Sequence, residues 1–123
     1  MANSETDWVD LEHIRKMSNG NPSFVINMLN IYIQDLSDYL LQMQVALGQK
    51  DYDQVRYLGH RMKSPAAIIR VDRLDNMLNA LESAAESEHE ALLKTFDELT
   101  LSHDQITTIL RTELSGLDSD KAK

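Results

Sequence analysis

Four separate stretches of this chain carry apolar residues at steps of three and four, and nowhere do apolar and polar residues alternate as they would in a half-buried strand. The longest stripe runs through Val25, Leu29, Tyr32, Leu36, Leu40, Met43 and Leu47, the second through Val55, Leu58, Met62, Ala66 and Ile69. A third uses Leu74, Met77, Leu78, Leu81 and Ala85, the last Leu92, Phe96, Leu99, Ile106, Leu110 and Leu114. Between them lie helix boundary signals. Asn21-Pro22 is a cap followed by proline at the first helical position, Asp51-Tyr52-Asp53-Gln54 resembles a capping box, and Gly48 and Gly116 stand where helices end. Pro65 to Asp72 separates the second and third helices, and Ser87 to His89 closes the third. Asp7 to Lys16, with Trp8, Leu11 and Ile14 or Arg15 suitably spaced, reads as a short helix lying across the others. The expected fold is all-α: an antiparallel up-down-up-down four-helix bundle over residues 7–117 with a short N-terminal lid helix, residues 1–6 and 118–123 forming flexible tails.

The second helix carries the chemistry. His60 lies two residues from both Leu58 and Met62, so at about 100° per residue it points roughly 160° away from each and into solvent. Residues three, four and seven places from it share its face: Arg56 and Tyr57 before, Lys63, Ser64 and Ala67 after. A histidine held in solvent beside a fixed positive charge can carry a phosphoryl group.

Composition narrows the alternatives. The 123 residues fit one domain with a sizeable core, and the lack of cysteine excludes disulfide frameworks and zinc-thiolate sites. The acidic start has no apolar signal region and no apolar run is long enough to span a bilayer, so a cytoplasmic protein without membrane attachment is expected. A net charge of −8 argues against a nucleic acid partner. The charge is uneven, however. From Arg56 to Arg73 stand Arg56, Arg61, Lys63, Arg70 and Arg73 against the single acid Asp72, a local excess of four positive charges around His60 that would steer a carboxylate-rich partner.

His60, the apolar Met62, Lys63, the small Ser64, Ala66 and the aliphatic Ile69 together resemble the motif of histidine-containing phosphotransfer domains, which relay phosphoryl groups in two-component signalling. Three positions depart from that pattern. Ser64 replaces a glycine, Arg70 stands at a second glycine that opens the next turn, and Pro65 lacks the N–H that would bond the Arg61 carbonyl, so a kink is expected one turn after His60.

The resemblance implies a phosphoryl carrier, without ATP-dependent kinase activity, that accepts the group on His60 from a receiver-domain aspartate and transfers it to another receiver. Its partners would be response-regulator receiver domains and a hybrid sensor histidine kinase, and the carrier itself a monomer. Neutral imidazole would attack through Nε2 while Lys63 offsets charge on the phosphoryl oxygens; Mg2+ would reside on the receiver, this chain having no cofactor or metal of its own. In the family a Gln or Glu of the following helix often fixes the other ring nitrogen, and the matching place is Glu82. Arg56, Tyr57, Arg61, Ser64, Ala67 and Ile68 would meet the receiver. Two other readings are an adaptor that docks on a receiver or kinase without being phosphorylated, motivated by Pro65 and Arg70, and a dimeric kinase phosphoacceptor bundle. His13, His89 and His103 read as structural, His103 as a packed or edge residue between Leu99 and Ile106. The Glu86-x-x-His89 pair lacks the second pair and the inward glutamates that a di-iron bundle needs.

Overall fold

The computed structural model describes residues 9, 11–19, 21–69 and 71–122. Five α-helices follow in order: α1 (Leu11–Ser18), α2 (Pro22–Gly48), α3 (Tyr52–Ala66), α4 (Asp72–Glu82) and α5 (His89–Ala122), with one 3₁₀ turn at Glu86–Glu88 before α5. No strand occurs among the described residues. Helices α2 to α5 form the bundle, each packed on its neighbours in the cyclic order α2, α3, α4, α5 and back to α2. Helix α1 crosses α2, burying Ile14, and its Arg15 forms a two-pronged ion pair with Glu113 of α5 at 3.0 and 3.1 Å. It occupies the place expected of the lid. Asp7 and Trp8, assigned to the same helix from the sequence, lie outside the described residues.

Helical periodicity locates the core. All seven stripe residues of α2 are buried, as are Val55, Leu58, Met62, Ala66 and Ile69. On the last two helices Leu74, Leu78, Leu81, Leu92, Leu99, Ile106, Leu110 and Leu114 are buried, while Met77 and Phe96 pack against the core only in part. The expected caps form: the Asn21 side chain accepts from the Phe24 N–H at 3.1 Å, and the Asp51 side chain from the Gln54 N–H at 3.2 Å. The box at Asp51 is one-sided, since the Asp51 N–H bonds back to the Ala46 carbonyl of α2.

Four boundaries differ from expectation. Gly48 is the last residue of α2 rather than the left-handed residue beyond it. That conformation falls on Lys50, φ 56°, and the bonds Lys50 N–H to Leu47 O and Asp51 N–H to Ala46 O complete a Schellman closure around it. Pro65 lies in the closing turn of α3. The chain leaves the helix through three-residue bonds from Ala67, Ile68 and Ile69 to Ser64, Pro65 and Ala66, so the proline terminates a helix where a kink in a continuing one was expected. Helix α4 stops at Glu82, ahead of Ala85, and His89 opens α5 instead of closing α4. Helix α5 runs through Gly116 and Asp118 to Ala122, where a stop and a polar tail were expected: one glycine costs a helix only about 1 kcal/mol. Arg70 lies outside the described residues.

Between α2 and α5 the core contains a polar patch. His103 is buried, as expected for a packed histidine, but against expectation its ring is not fully satisfied: Nε2 is 3.1 Å from the Ser37 hydroxyl, Nδ1 has no hydrogen-bond partner among the described residues, and the ring meets Tyr32 edge-on at 6.0 Å. Burial pushes its pKa below the ordinary imidazole value, with nearby Asp104 opposing and Arg111 adding to the shift. The unfolded chain therefore binds a proton here that the folded one resists. Stability should fall as pH drops below about 6.5, the unfolded value, a slope that thermal melts across pH 7 to 5 would show and that His103→Gln should flatten.

Candidate functional site

The site sits where α3 passes close against α4, and a glycine makes that approach possible. A Cβ on Gly59 would stand 2.8 Å from the Glu82 backbone nitrogen, 3.0 Å from the Leu81 carbonyl carbon and 3.1 Å from the Leu81 Cβ. Gly59 is buried in the middle of α3, one residue before His60. Its missing side chain lets α3 rest on the backbone of the last turn of α4, bringing Glu82 beside the histidine.

His60 projects outward with its side chain 69% exposed, as its place opposite the stripe requires. Its Nδ1 is 2.5 Å from Glu82 Oε2, and Lys63 Nζ donates to Glu82 Oε1 at 2.6 Å. One carboxylate, 31% exposed, thus links the histidine to the lysine one turn further along α3. The Lys63 and His60 hydrogen bonds hold the Glu82 pKa below the usual carboxylate value against the opposing effect of burial. An ionised carboxylate only accepts, so Nδ1 must carry the proton and a neutral ring presents an unprotonated Nε2. An outward-facing imidazole, a carboxylate and an ammonium are therefore joined in one place.

The structure brings three of the nine sequence-derived site residues, His60, Lys63 and Glu82, into direct contact. Tyr57, Arg61, Ser64 and Ala67 are exposed around them on α3 and just beyond its end, and Ile68 is partly buried. The Arg61 guanidinium lies 5.8 Å from the centre of the Tyr57 ring. The Tyr39 side chain of α2, and with it Tyr57, raises the Arg61 pKa. Arg56 differs from the rest. Its Nη1 donates to the Ala84 carbonyl at 2.7 Å and its Nη2 pairs with the Asp53 carboxylate, so its guanidinium is bound within the protein. His89 bonds the Tyr52 hydroxyl through Nδ1 at 2.8 Å, and among the described residues no group of three or more His, Asp or Glu side chains could hold a metal ion.

Sequence reasoning passed over two contributors. Tyr39 is too far along the chain from His60 to be connected with it by spacing. Gly59 did leave a signal: a glycine inside a strongly striped helix loses about 1 kcal/mol relative to alanine, which points to a packing reason at that position. Gly59→Ala should therefore lower the melting temperature, because the backbone overlap, at about 1–3 kcal/mol, exceeds the propensity gain. A higher melting temperature would contradict the close contact.

Among the described residues no helix is long and apolar enough to cross a membrane. No curated protein and no solved structure matches the chain significantly. The family model described as "Hpt domain" does match, over residues 27–119, covering α3 and α4 whole and most of α2 and α5, with His60, Lys63 and Glu82 inside it. The chain therefore belongs to the histidine-containing phosphotransfer family, whose members carry phosphoryl groups in two-component phosphorelays and are not themselves kinases.

Proposed function

We propose that this protein is a phosphorelay intermediate that takes a phosphoryl group onto His60 Nε2 from the phosphoaspartate of one receiver domain and passes it to the aspartate of another. The observation that carries the reading is the Glu82 bridge, which engages Nδ1 of the outward-facing His60 ring and ties Lys63 to the same carboxylate. In the forward step the Nε2–P bond forms as the acyl O–P bond of the phosphoaspartate breaks, and the aspartate leaves as a carboxylate. The ring, with Nδ1 protonated and Nε2 phosphorylated, becomes cationic, and Glu82 offsets that charge. Lys63 carries three N–H donors; those not used on Glu82 meet the phosphoryl oxygens.

The acidic cluster of a receiver domain, with its magnesium ion, approaches a surface of opposite sign. Arg61 and Lys63 supply the charge, and Tyr57, Ser64, Ala67 and Ile68 the smaller and apolar contacts. Such a carrier acts as a monomer in the cytoplasm, and the reaction relies on position and electrostatics rather than on a bound nucleotide. The docking-only reading draws on Pro65 and Arg70, of which Pro65 lies in the closing turn of α3 and Arg70 outside the described residues.

Incubation of the wild type and His60→Gln with a panel of phosphorylated receiver domains tests the proposal. Base-stable, acid-labile phosphate should appear on the wild type alone, and the variant should keep its stability to within about 1 kcal/mol because the site is exposed. Stable complexes with no label on the wild type would contradict transfer and favour an adaptor.

A further inference from the structure

We infer that Arg56 is a positioning residue that acts on His60 through Glu82, by clamping the end of α4 to α3. The inference that this affects phosphoryl transfer rests on the proposed function; the clamp itself does not.

Helix α4 has 11 residues and ends at Glu82. The last carbonyls of a helix lack partners within it, and the exposed dipole there attracts cations. After the cap residue Ser83, the chain turns at Ala84, whose carbonyl accepts from Arg56 Nη1 at 2.7 Å. Asp53, one turn before Arg56 on α3, pairs with Nη2 and aims the guanidinium fork. Arg56 lies one turn before His60 on the same helix. Helix α3 therefore holds the end of α4 and the turn after it at two places: at Gly59, against the Leu81 and Glu82 backbone, and at Arg56, on Ala84. Glu82 belongs to the segment held between Gly59, the helix neighbour of His60, and Arg56.

The bonds that Glu82 makes at 2.5 and 2.6 Å tolerate little displacement. If the turn after α4 loosens, the carboxylate moves off Nδ1. A neutral imidazole free in water favours the tautomer with its proton on Nε2, which has no lone pair there for attack. Loss of the clamp should thus appear as a change of His60 tautomer before any phosphate is added. This separates Arg56 from a residue that only touches the receiver, the role its surface position first suggests.

The test uses the full chain with 15N-labelled histidine, as wild type, Arg56→Lys and Arg56→Met. Long-range nitrogen–proton correlation spectra above pH 7.5 report the His60 tautomer. Phosphoramidate, a donor too small to dock, reports intrinsic reactivity: the Nε2–P bond forms, the P–N bond breaks, and the nitrogen of the zwitterionic donor leaves as ammonia. The wild type should show the Nδ1–H pattern. Arg56→Met should shift toward Nε2–H and take up phosphate on the order of tenfold more slowly, with Arg56→Lys intermediate. Should Arg56→Met not fold, Asp53→Asn alters an exposed carboxylate and should give the same change at smaller size. A folded Arg56→Met with the wild-type tautomer and rate overturns the inference. If the wild type accepts phosphate from no donor, the carrier reading fails, while the tautomer comparison still decides the clamp.

Discussion

The contact between the Gly59 backbone and the last turn of α4 is the constraint from which the site follows. It sets how closely two helices pass, and the distance between helix axes determines which side chains can meet across them. With any larger residue at this position, the Glu82 backbone would have to retreat from α3, and a carboxylate that now reaches both His60 and Lys63 would have to stretch toward them. A gap in the packing, left by the smallest residue, does more to define the site than any polar group in it.

Upon that packing rests a three-membered charge arrangement. A lone histidine in water distributes its proton between two nitrogens; here a carboxylate whose pKa is lowered by its bonds to Lys63 and His60 accepts from one of them. Lys63 and His60 come from α3, one turn apart, so their relative position is secured by helix geometry, whereas Glu82 comes from α4 and depends on the helix pair. The exposed edge of the ring stays free because the bundle core takes the opposite face of α3, where Leu58 and Met62 are buried.

Much of this was legible in the sequence. The stripes locate the core because a period near 3.6 allows only one buried face, and that same count turns His60 outward. Glu82 could be placed only by the family resemblance, since nothing in its own surroundings distinguishes it from other helix acids. Boundaries were harder to read. Glycines at 48 and 116 suggest helix ends, yet α2 takes its left-handed residue at Lys50 and α5 continues past Gly116, because a local preference of about 1 kcal/mol does not by itself fix where a helix stops. Arg56 showed the limit of face counting: helical spacing puts it near His60, but only the folded chain reveals that the Ala84 carbonyl occupies its guanidinium.

The central claim is that packing and charge leave one particular nitrogen of His60 to react. The most direct measurement is the site of phosphorylation, read from phosphorus–nitrogen coupling in protein carrying 15N-labelled histidine after reaction with a phosphorylated receiver domain. The account predicts coupling to Nε2 of His60. Coupling to Nδ1, or to any other histidine of the chain, would contradict it.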